Sequence, residues 1–392
     1  MKYDFDTPIN RRNTDSLKWS VGEMELPLWV ADMDFKTAPE ILQRIRERTE
    51  HGVFGYSIIP DYWYEAYCDW WERRHGLAVK RDWLLFASGI VPAISSVIRH
   101  LTKPDERVLI QPPVYNAFFH IIKDNGREIA ENPLNYKNGE YSVDFEDLEK
   151  KLSDPKVTLM ILCNPHNPIG KLWDRETLEK IGELCAENGV TVVSDEIHCD
   201  LTDPNVDYIP FASVSELCGN NSITCVAPTK TFNLAGMKTS ALIVPNEALR
   251  RRVGRGLDID CLGDPNGFSC DAAYAAYTYG DDWLNQLRQY LFENKTMVKE
   301  FVSNELPQIT LTECEATYLM WLNCGGVRGF NGDSPKFIRE KTGLFLSEGR
   351  IFGREGEKCM RMNVACTKAT LSDALERLKK GIAEVENTAC EK

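Results

Sequence analysis

Residues 157–194 read VTLMILCNPHNPIGKLWDRETLEKIGELCAENGVTVVS, and this stretch decides the fold class. Its first six and last four residues are rich in aliphatic side chains, which is typical of strands buried on both faces. Between them a helix is predicted from Asp174, which can cap its amino terminus, to Asn188, and Gly189 suits a left-handed position just beyond its end. Such a strand–helix–strand unit crosses over right-handed and predicts an α/β protein with a parallel or mixed sheet.

The sequence on both sides of this unit predicts two domains. Further strands of the same sheet are predicted at 107–110, 223–226 and 241–244. The last hundred residues show an α+β pattern, with strands at 317–323 and 360–366 and a terminal helix whose apolar residues recur every three or four positions. We therefore expect a large domain over 51–287 and a smaller α+β domain formed by 1–50 and 288–392.

Composition and charge limit the class of protein. The 392 residues include 46 Lys and Arg against 59 Asp and Glu, and the net charge of −13 argues against nucleic acid or an anionic membrane as a partner, because both need a basic surface. No run approaches the roughly 18 apolar residues of a membrane-spanning helix. The first residues, MKYDFDTPINRR, lack the apolar region of a secretion signal. We expect a soluble, cytoplasmic protein.

The cysteines and histidines predict neither a disulfide framework nor a metal site. The 13 cysteines are odd in number and no two have C-x-x-C spacing, so reduced thiols in a cytosol fit best. The six histidines form no H-E-x-x-H motif, and no Cys/His cluster has zinc-like spacing. We therefore expect no metal.

Two polar features directly follow predicted strands, where open α/β sheets bind their ligands. In Asn164–Gly170, two prolines and a glycine define a tight loop whose asparagines can donate to a ligand oxygen. An ordinary turn is the alternative. Asp195 ends the next strand, and a buried acid there needs a cation or a hydrogen-bond donor as its partner. A helix N-cap fits Asp195 about equally well.

Two further features are weaker signals by themselves. Lys230 lies among short hydroxyl residues just beyond the strand predicted at 223–226, and a partly buried lysine has a depressed pKa that suits a nucleophile. A solvated lysine is the alternative. Gly89 precedes a helical pattern, and the exposed amides of a helix start bind phosphate, although glycine before a helix is common.

Together these four features point to one cofactor. A glycine before a helix, an asparagine loop, a strand-end aspartate and a lysine 35 residues later (230 − 195) are the parts that hold pyridoxal 5′-phosphate. The chain resembles the fold-type I pyridoxal-phosphate enzymes, the aspartate aminotransferase superfamily, over nearly its whole length. Within it, WVADMDF at 29–35, DEIH at 195–198 and KTFNLAG at 230–236 are most similar to the cystathionine β-lyase and cysteine-S-conjugate β-lyase branch.

The resemblance implies an architecture and four residue roles. The fold would be a large domain with a mixed, mostly parallel sheet of the seven-stranded type between helices, plus the smaller α+β domain. Lys230 would be the Schiff-base lysine and would later abstract the Cα proton of the substrate. Asp195 would pair with the pyridine nitrogen, and Asn167 would donate to the phenolic oxygen of the ring. His198 stands where many aminotransferases have a tyrosine, so it is assigned to the same oxygen.

The resemblance also assigns the phosphate site. Gly89 and Ile90 would provide backbone amides, Thr229 a hydroxyl group and Lys238 a positive charge. The sequence departs from the wider pattern at two positions, because Ala227 replaces a frequent serine and Lys238 replaces a frequent arginine. A lysine is a point charge rather than a fork, so the phosphate would be held more weakly or shared differently.

Four other residues complete the implied site. Tyr115 would stack on the cofactor ring and contact the substrate, with an ordinary core tyrosine as the alternative. Arg361 would bind the substrate carboxylate with both arms of its guanidinium group, with an arginine exposed on a strand as the alternative. Ala31 is assigned to the substrate site. Tyr56 would reach the phosphate of the neighbouring subunit, which implies a homodimer.

The resemblance leaves two reactions, which share every step up to removal of the Cα proton. In the first, a thiolate leaves Cβ, and L-cystathionine or a cysteine S-conjugate yields a thiol such as homocysteine, pyruvate and ammonia. The alternative is transamination between an α-amino acid and a keto acid. The branch similarity favours the lyase, although no thiolate pocket can be deduced from the sequence. Some pyridoxal-phosphate folds bind transcription factors, and the sequence neither supports nor excludes such a regulatory role.

Overall fold

The structure, a computed structural model, describes residues 3–390. Most of its strands belong to two β-sheets, one of seven strands and one of four. In chain order the strands are β1 (Leu26–Pro27), β2 (Leu84–Ala87), β3 (Arg107–Ile110), β4 (Glu128–Glu131), β5 (Asn135–Lys137), β6 (Glu140–Ser142), β7 (Val157–Cys163), β8 (Thr191–Asp195), β9 (Ser222–Val226), β10 (Ser240–Ile243), β11 (Thr310–Leu311), β12 (Leu319–Asn323), β13 (Leu344–Phe345), β14 (Ser347–Glu348) and β15 (Cys359–Asn363).

The helices cover the sheets. They are α1 (Pro39–His51), α2 (Asp61–His75), α3 (Ile90–Leu101), α4 (Ala117–Asp124), α5 (Phe145–Leu152), α6 (Arg175–Glu187), α7 (Glu216–Asn220), α8 (Pro228–Thr231), α9 (Glu247–Ile259), α10 (Ser269–Tyr279), α11 (Asp281–Glu305), α12 (Ser334–Thr342) and α13 (Lys368–Cys390). Helix α2 is rich in aromatic residues and buries Trp63, Tyr67, Trp70 and Trp71 in the core. Among residues 3–390, no helix combines the length and the apolar character needed to cross a lipid bilayer.

The seven-stranded sheet has the order β2-β10-β9-β8-β7-β3-β4. Neighbours from β9 to β4 pair in parallel, whereas β10 pairs antiparallel with both β9 and β2. Successive residues of β8 face opposite sides, so Val192 and Val193 pack in two different apolar clusters, and both are fully buried. This mixed, mostly parallel sheet between helices confirms the predicted fold class.

The strand–helix–strand unit lies where the sequence predicts it. The Asp174 carboxylate caps α6 by accepting from the backbone amide of Thr177 (2.7 Å), and Gly189 adopts a φ of 69° just after the helix. The parallel register of β7 and β8 pairs Cys163 with Asp195. The loop after β7 and the acid at the end of β8 therefore meet at one edge of the sheet.

The four-stranded sheet is antiparallel and has the order β11-β12-β15-β14. Its strand β15 carries Arg361 opposite Trp321 of β12 and Ser347 of β14. The expected domain boundary after residue 287 falls inside the continuous helix α11. The division of the chain into two domains therefore stays a prediction.

The segment before α1 connects the two sheets. Strand β1 pairs in parallel with β13. Further along, the side-chain amide of Asn363 in β15 donates to the carbonyl oxygens of Val30 and Asp32, both at 2.6 Å. On the other side Asn233, which follows α8, donates to the carbonyl oxygen of Met33 (2.9 Å). These hydrogen bonds hold the segment between the residue that follows helix α8, next to the seven-stranded sheet, and strand β15 of the four-stranded sheet.

Candidate active site

A cavity of about 210 Å³ opens at the carboxyl edge of the seven-stranded sheet. Ten of the residues that the sequence analysis assigns to the site form part of its wall: Ala31, Gly89, Ile90, Tyr115, Asn167, Asp195, His198, Thr229, Lys230 and Lys238. They come from the segment before α1, the start of α3, the loops after β3, β7 and β8, and the region around α8. The fold therefore gathers residues that are spread over more than half of the chain.

Asp195 lies at the end of β8 and is almost completely buried. Burial raises the pKa of its carboxyl group to about 7, although a hydrogen bond from the Ile197 amide (3.3 Å) and the charge of Lys230 act in the opposite direction. Among the described residues it has no ion pair. A carboxyl group left in this state is stabilised as an anion only when a cation or a strong donor enters the cavity.

Lys230 lies in the short helix α8, which begins with Pro228 directly after β9. Its ammonium group donates to the carbonyl oxygen of Ala31 (2.5 Å). Burial and, to a smaller extent, the nearby charge of Arg361 lower the pKa of the amine to about 8, against the opposing charges of Asp32 and Asp195. About a tenth of the amine is then neutral at pH 7, which makes Lys230 a usable nucleophile and base.

Asn167 and His198 present uncharged polar groups to the cavity. The Asn167 side-chain oxygen accepts from Nη1 of Arg361 (3.0 Å), which leaves its NH₂ group to donate elsewhere. Burial, reinforced by the charges of Lys230 and Arg361, lowers the pKa of His198 well below its ordinary value. The imidazole is therefore neutral at pH 7, and its Nδ1 is buried without a hydrogen-bond partner among the described residues.

One end of the cavity can bind an anion. Gly89 adopts a φ of 149°, a conformation that favours glycine, and directly precedes α3, whose first residue Ile90 lines the cavity. The first backbone amides of a helix lack intrahelical acceptors and point toward such a ligand. Thr229 and Lys238 line the same cavity. Ala227, the position at which the resemblance implies a frequent serine, is buried and has no side-chain donor.

Two tyrosines assigned to the site have different surroundings. Tyr115 lines the cavity, packs edge-on against Phe118 with ring centroids 5.6 Å apart, and has a pKa raised mainly by burial. Tyr56 is fully exposed, in a stretch without helix or strand between α1 and α2, and does not line the cavity of its own chain. Its predicted role would need a second copy of the chain.

Arg361 lies behind Asn167 in β15 and is 5% exposed. Its guanidinium group donates to the carbonyl oxygen of Trp29 (2.9 Å) and stands over the ring of Phe352, 4.7 Å from the centroid. Burial lowers its pKa to about 10, so the group stays cationic, and its Nε is buried without a partner among the described residues. A buried cation with an unused donor fits a carboxylate ligand.

The sequence analysis missed two features of this site. Cys163 lines the cavity at the end of β7, beside Asp195, and its place at a strand end is a signal that could have found it. The second is the carbonyl segment, residues 29–33, in which every backbone oxygen accepts from a side chain elsewhere in the chain. Tyr318 also donates to the Ala31 oxygen (3.0 Å). No motif marks contacts made to main-chain atoms.

One group of potential metal ligands lies outside the cavity. The ligand atoms of His75, Cys199 and Asp200 lie within 4.8 Å of one another. The Asp200 carboxylate already accepts from His75 (2.8 Å), from the Trp70 indole (3.0 Å) and from the Thr231 hydroxyl (2.8 Å). Burial raises the pKa of the Cys199 thiol well above its ordinary value, so the thiolate that a metal needs is disfavoured.

The groups around the cavity fit pyridoxal 5′-phosphate. The start of α3 with Thr229 and Lys238 suits its phosphate, and the unpaired Asp195 suits a protonated ring nitrogen. Between them lies the amine of Lys230, with its lowered pKa. The orphaned Nδ1 of His198 supplies a further polar atom for the ring. The fit rests on the charge and the hydrogen-bonding capacity of the wall.

Comparison with known proteins agrees with this geometry. Residues 17–378 match the family described as aminotransferase class I and II. The chain is 43% identical over 386 residues to the cystathionine beta-lyase PatB of Bacillus subtilis (strain 168), covering 97% of this chain and 100% of that protein. The structure of cystalysin from Treponema denticola, which contains pyridoxal 5′-phosphate, is similar with a TM-score of 0.94 and 34% identity over 98% of this chain and 100% of the other. The pyridoxal-phosphate-bound C–S lyase from Staphylococcus hominis has a TM-score of 0.93 and 31% identity over 97% and 98%.

Proposed function

The chain belongs to the class I and II aminotransferase family, and from this premise we propose that it is a pyridoxal 5′-phosphate-dependent carbon–sulfur β-lyase. It would cleave L-cystathionine or a cysteine S-conjugate to a thiol, pyruvate and ammonia. The observation that carries the proposal is the cavity that joins Lys230, whose pKa is lowered to about 8, to the buried acid Asp195. The full-length similarity to a cystathionine beta-lyase favours carbon–sulfur cleavage as the reaction.

The cavity wall holds the cofactor and prepares its charge state. Pyridoxal 5′-phosphate, when bound, supplies an electron-withdrawing ring that acidifies the Cα proton of an attached amino acid. Asp195 would keep the ring nitrogen protonated, since a buried carboxylate strongly favours a cation beside it. Thr229, Lys238 and the amides of Gly89 and Ile90 would hold the phosphate, and Lys230 would provide the amine that bonds to the aldehyde carbon.

Two residues then act on the substrate. Arg361 would bind its α-carboxylate with two parallel hydrogen bonds, and the neutral amine of Lys230 would take the Cα proton. The Cβ–S bond breaks with its electron pair going to sulfur, which leaves as a thiolate and is protonated to the thiol. Water then releases the remaining three carbons as pyruvate and the nitrogen as ammonia.

Transamination is the second candidate, because the family to which the chain belongs is named for that reaction. The purified enzyme is incubated with L-cystathionine and no keto acid, and pyruvate, thiol and ammonia are measured. The lyase releases all three in equal amounts. A strict dependence of turnover on an added keto acid contradicts the lyase and supports an aminotransferase.

We also propose that the enzyme is a homodimer in which Tyr56 reaches the partner's phosphate site. The support is the exposed apolar stretch around it, where the exposed fraction is 63% for Val53, 57% for Phe54 and 82% for Ile58. Monomers seldom leave such a stretch in water. Separately, we propose that the enzyme acts in the cytoplasm, as the sequence leads us to expect.

Complementation between two inactive variants tests this arrangement. The Lys230→Ala and Tyr56→Ala variants are mixed in equal amounts, unfolded together and then refolded with cofactor. A mixed dimer then has one intact site, which combines Lys230 of one subunit with Tyr56 of the other. About a quarter of the parental activity is expected, because half of the dimers are mixed and half of their sites are intact. If Tyr56 serves its own subunit, the mixture stays as inactive as its components. If Tyr56 serves no site, the Tyr56→Ala variant alone keeps the parental activity.

A further inference from the structure

The carbonyl segment holds the two groups that act on the substrate. The Trp29 oxygen accepts from Nη2 of Arg361 at 2.9 Å, and the Ala31 oxygen accepts from the ammonium group of Lys230 at 2.5 Å. The two oxygens belong to residues two positions apart, in a bend of the main chain. The main chain therefore sets the spacing between the guanidinium group and the amine.

Each of these two oxygens also accepts from a second side chain. The Ser347 hydroxyl donates to the Trp29 oxygen (2.9 Å), and the Tyr318 hydroxyl donates to the Ala31 oxygen (3.0 Å). The second donor restricts the orientation of the peptide group, because a carbonyl oxygen held by two donors cannot turn toward one without losing the other. A side chain without contact to the substrate can thus control where Lys230 points.

We propose that Tyr318 is a positioning residue that orients the Lys230 amine toward the substrate by fixing the carbonyl oxygen of Ala31. The inference rests on the proposed function, because it concerns the amine that moves the Cα proton. Tyr318 would act when the amine is not bonded to the cofactor and needs an acceptor to hold it. Misplacement of a proton-transfer group by a fraction of an ångström slows the reaction even when binding is unchanged.

The surroundings of Tyr318 suit this role. Its side chain is fully buried between the carbonyl segment and His198, whose ring centroid lies 6.1 Å from its own. Burial raises the pKa of its phenol, so the hydroxyl remains a donor throughout the physiological range. The amine of Lys230, with its pKa of about 8, changes charge in that range. The oxygen between them is therefore held by one constant donor while the other gains and loses its proton.

Two holoenzyme variants separate the two carbonyl contacts. Tyr318→Phe removes one hydroxyl and is expected to lower kcat about tenfold with KM within about twofold, because the amine is misplaced but the carboxylate site is intact. Ser347→Ala loosens Arg361 instead and is expected to raise KM with a smaller change in kcat. Tyr67→Phe, at another fully buried tyrosine that does not line the cavity, controls for the loss of a buried hydroxyl.

A second measurement determines the pKa of the Lys230 amine and needs neither the cofactor nor turnover. The cofactor-free full-length chain is acylated with acetic anhydride at a series of pH values, and the Lys230 peptide is quantified by mass spectrometry. The parent should show a midpoint near pH 8. The midpoint should fall in Tyr318→Phe, because a less well held carbonyl oxygen stabilises the ammonium form less. Tyr67→Phe should keep the parental midpoint.

The two measurements distinguish a failure of the proposed function from a failure of the positioning role of Tyr318. A parent enzyme that releases no pyruvate from any thioether contradicts the proposed function, while the acylation midpoint still decides on Tyr318. A midpoint in Tyr318→Phe equal to that of the parent overturns the positioning role, whatever happens to kcat or to the melting temperature. A lowered midpoint together with a lowered kcat supports it, since a tyrosine that only packed the core would change stability alone.

Discussion

The sheet edge and the carbonyl segment meet at the same cavity but use different chemistry. At the sheet edge Asp195, Asn167 and Lys230 act through side chains. In the carbonyl segment, residues 29–33, the main-chain oxygens hold the groups, whatever side chains those residues carry. A site assembled from side chains can therefore be predicted from a sequence, whereas one assembled from peptide oxygens cannot.

The two regions also differ in how well their charges are matched. The carboxyl group of Asp195 is buried with one hydrogen bond, of 3.3 Å, from residues 3–390, and its pKa is raised to about 7. Asp34, just after the carbonyl segment, is buried as well, but its carboxylate contacts Arg11 (2.7 Å), Lys18 (2.8 Å) and the Trp19 indole (2.8 Å). The carboxyl group of Asp195 has no cationic partner and is available to a ligand. The carboxylate of Asp34 is already paired with cations and stabilises the fold.

The largest effect is expected from Lys230, which tests the sheet edge directly. Lys230→Ala should lower pyruvate release about 10³-fold or more and abolish covalent attachment of the cofactor to the chain after borohydride reduction, because no amine remains to bond to the aldehyde. Lys230→Arg keeps the charge but not the nucleophile and should be equally inactive. A Lys230→Ala enzyme that releases pyruvate at the parental rate would refute the mechanism.

The unmatched charge predicts a pH-dependent stability. The folded-state pKa of Asp195 is raised to about 7, so the folded protein binds more protons than the unfolded chain from about pH 4 to pH 7, and stability falls as the pH rises through that window. In the cofactor-free protein, Asp195→Asn should gain about 1–4 kcal/mol relative to the parent between pH 4 and pH 7. Denaturant unfolding at each pH measures this difference.

Asp200 provides the control of opposite sign. Burial alone would raise its pKa, but the hydrogen bond and charge of His75, together with the charge of Arg74 and the hydrogen bond from Thr231, outweigh burial and lower it. The stability that Asp200 contributes is therefore present above the pKa of the unfolded chain and is lost as the pH falls through the lowered folded-state pKa. Asp200→Asn should accordingly become less stable than the parent as the pH rises. Parallel pH profiles for Asp195→Asn and the parent would contradict the assignment of an unmatched acid.

Arg361 tests whether the substrate carboxylate needs the two parallel donors of a guanidinium group or only a positive charge. Arg361→Lys keeps a positive charge in β15 but loses the two parallel donors, so KM for the amino acid should rise about 10- to 100-fold, or about 1.4–2.8 kcal/mol. Steady-state kinetics measure it. Arg354→Lys, on a side chain that is 80% exposed, should leave KM as in the parent. An unchanged KM in Arg361→Lys would remove the carboxylate role.

Where the carbonyl segment is anchored, the expected effect is on stability rather than on turnover. Asn233 accepts from the Met33 amide and donates to the oxygens of Met33 and Phe35, and it adopts a φ of 56° that suits asparagine. Asn233→Ala should lower the free energy of unfolding by about 2–3 kcal/mol, since buried peptide groups lose their partners. Glycine adopts the positive φ without strain, so the Asn233→Gly variant shows the loss of the side-chain hydrogen bonds without the backbone strain of Asn233→Ala. Stability equal to the parent in both variants would show that the segment needs no anchor.

Much of the fold could be predicted because its signals are local. The cap at Asp174, the apolar strands β7 and β8 and the glycine at 189 depend on neighbours in sequence, and the structure has them at the predicted positions. For DEIH the resemblance selects Asp195, and the structure adds the physical reason why Glu196 does not take that role. Alternation in an extended chain turns Glu196 away from the cavity, toward the Ser194 hydroxyl and the Phe211 amide, while Asp195 lines it.

The sheet, the cofactor class and the side chains at the strand ends could be predicted from short stretches of the chain, because strand period, helix caps and the residue types at a strand end are local properties. The folded structure alone shows that Ala31 and Trp29 offer their peptide oxygens to Lys230 and Arg361, and that Tyr318 shares one of them. Every residue has such an oxygen, so no residue type can mark the ones that matter. Their selection depends on how distant parts of the chain pack together.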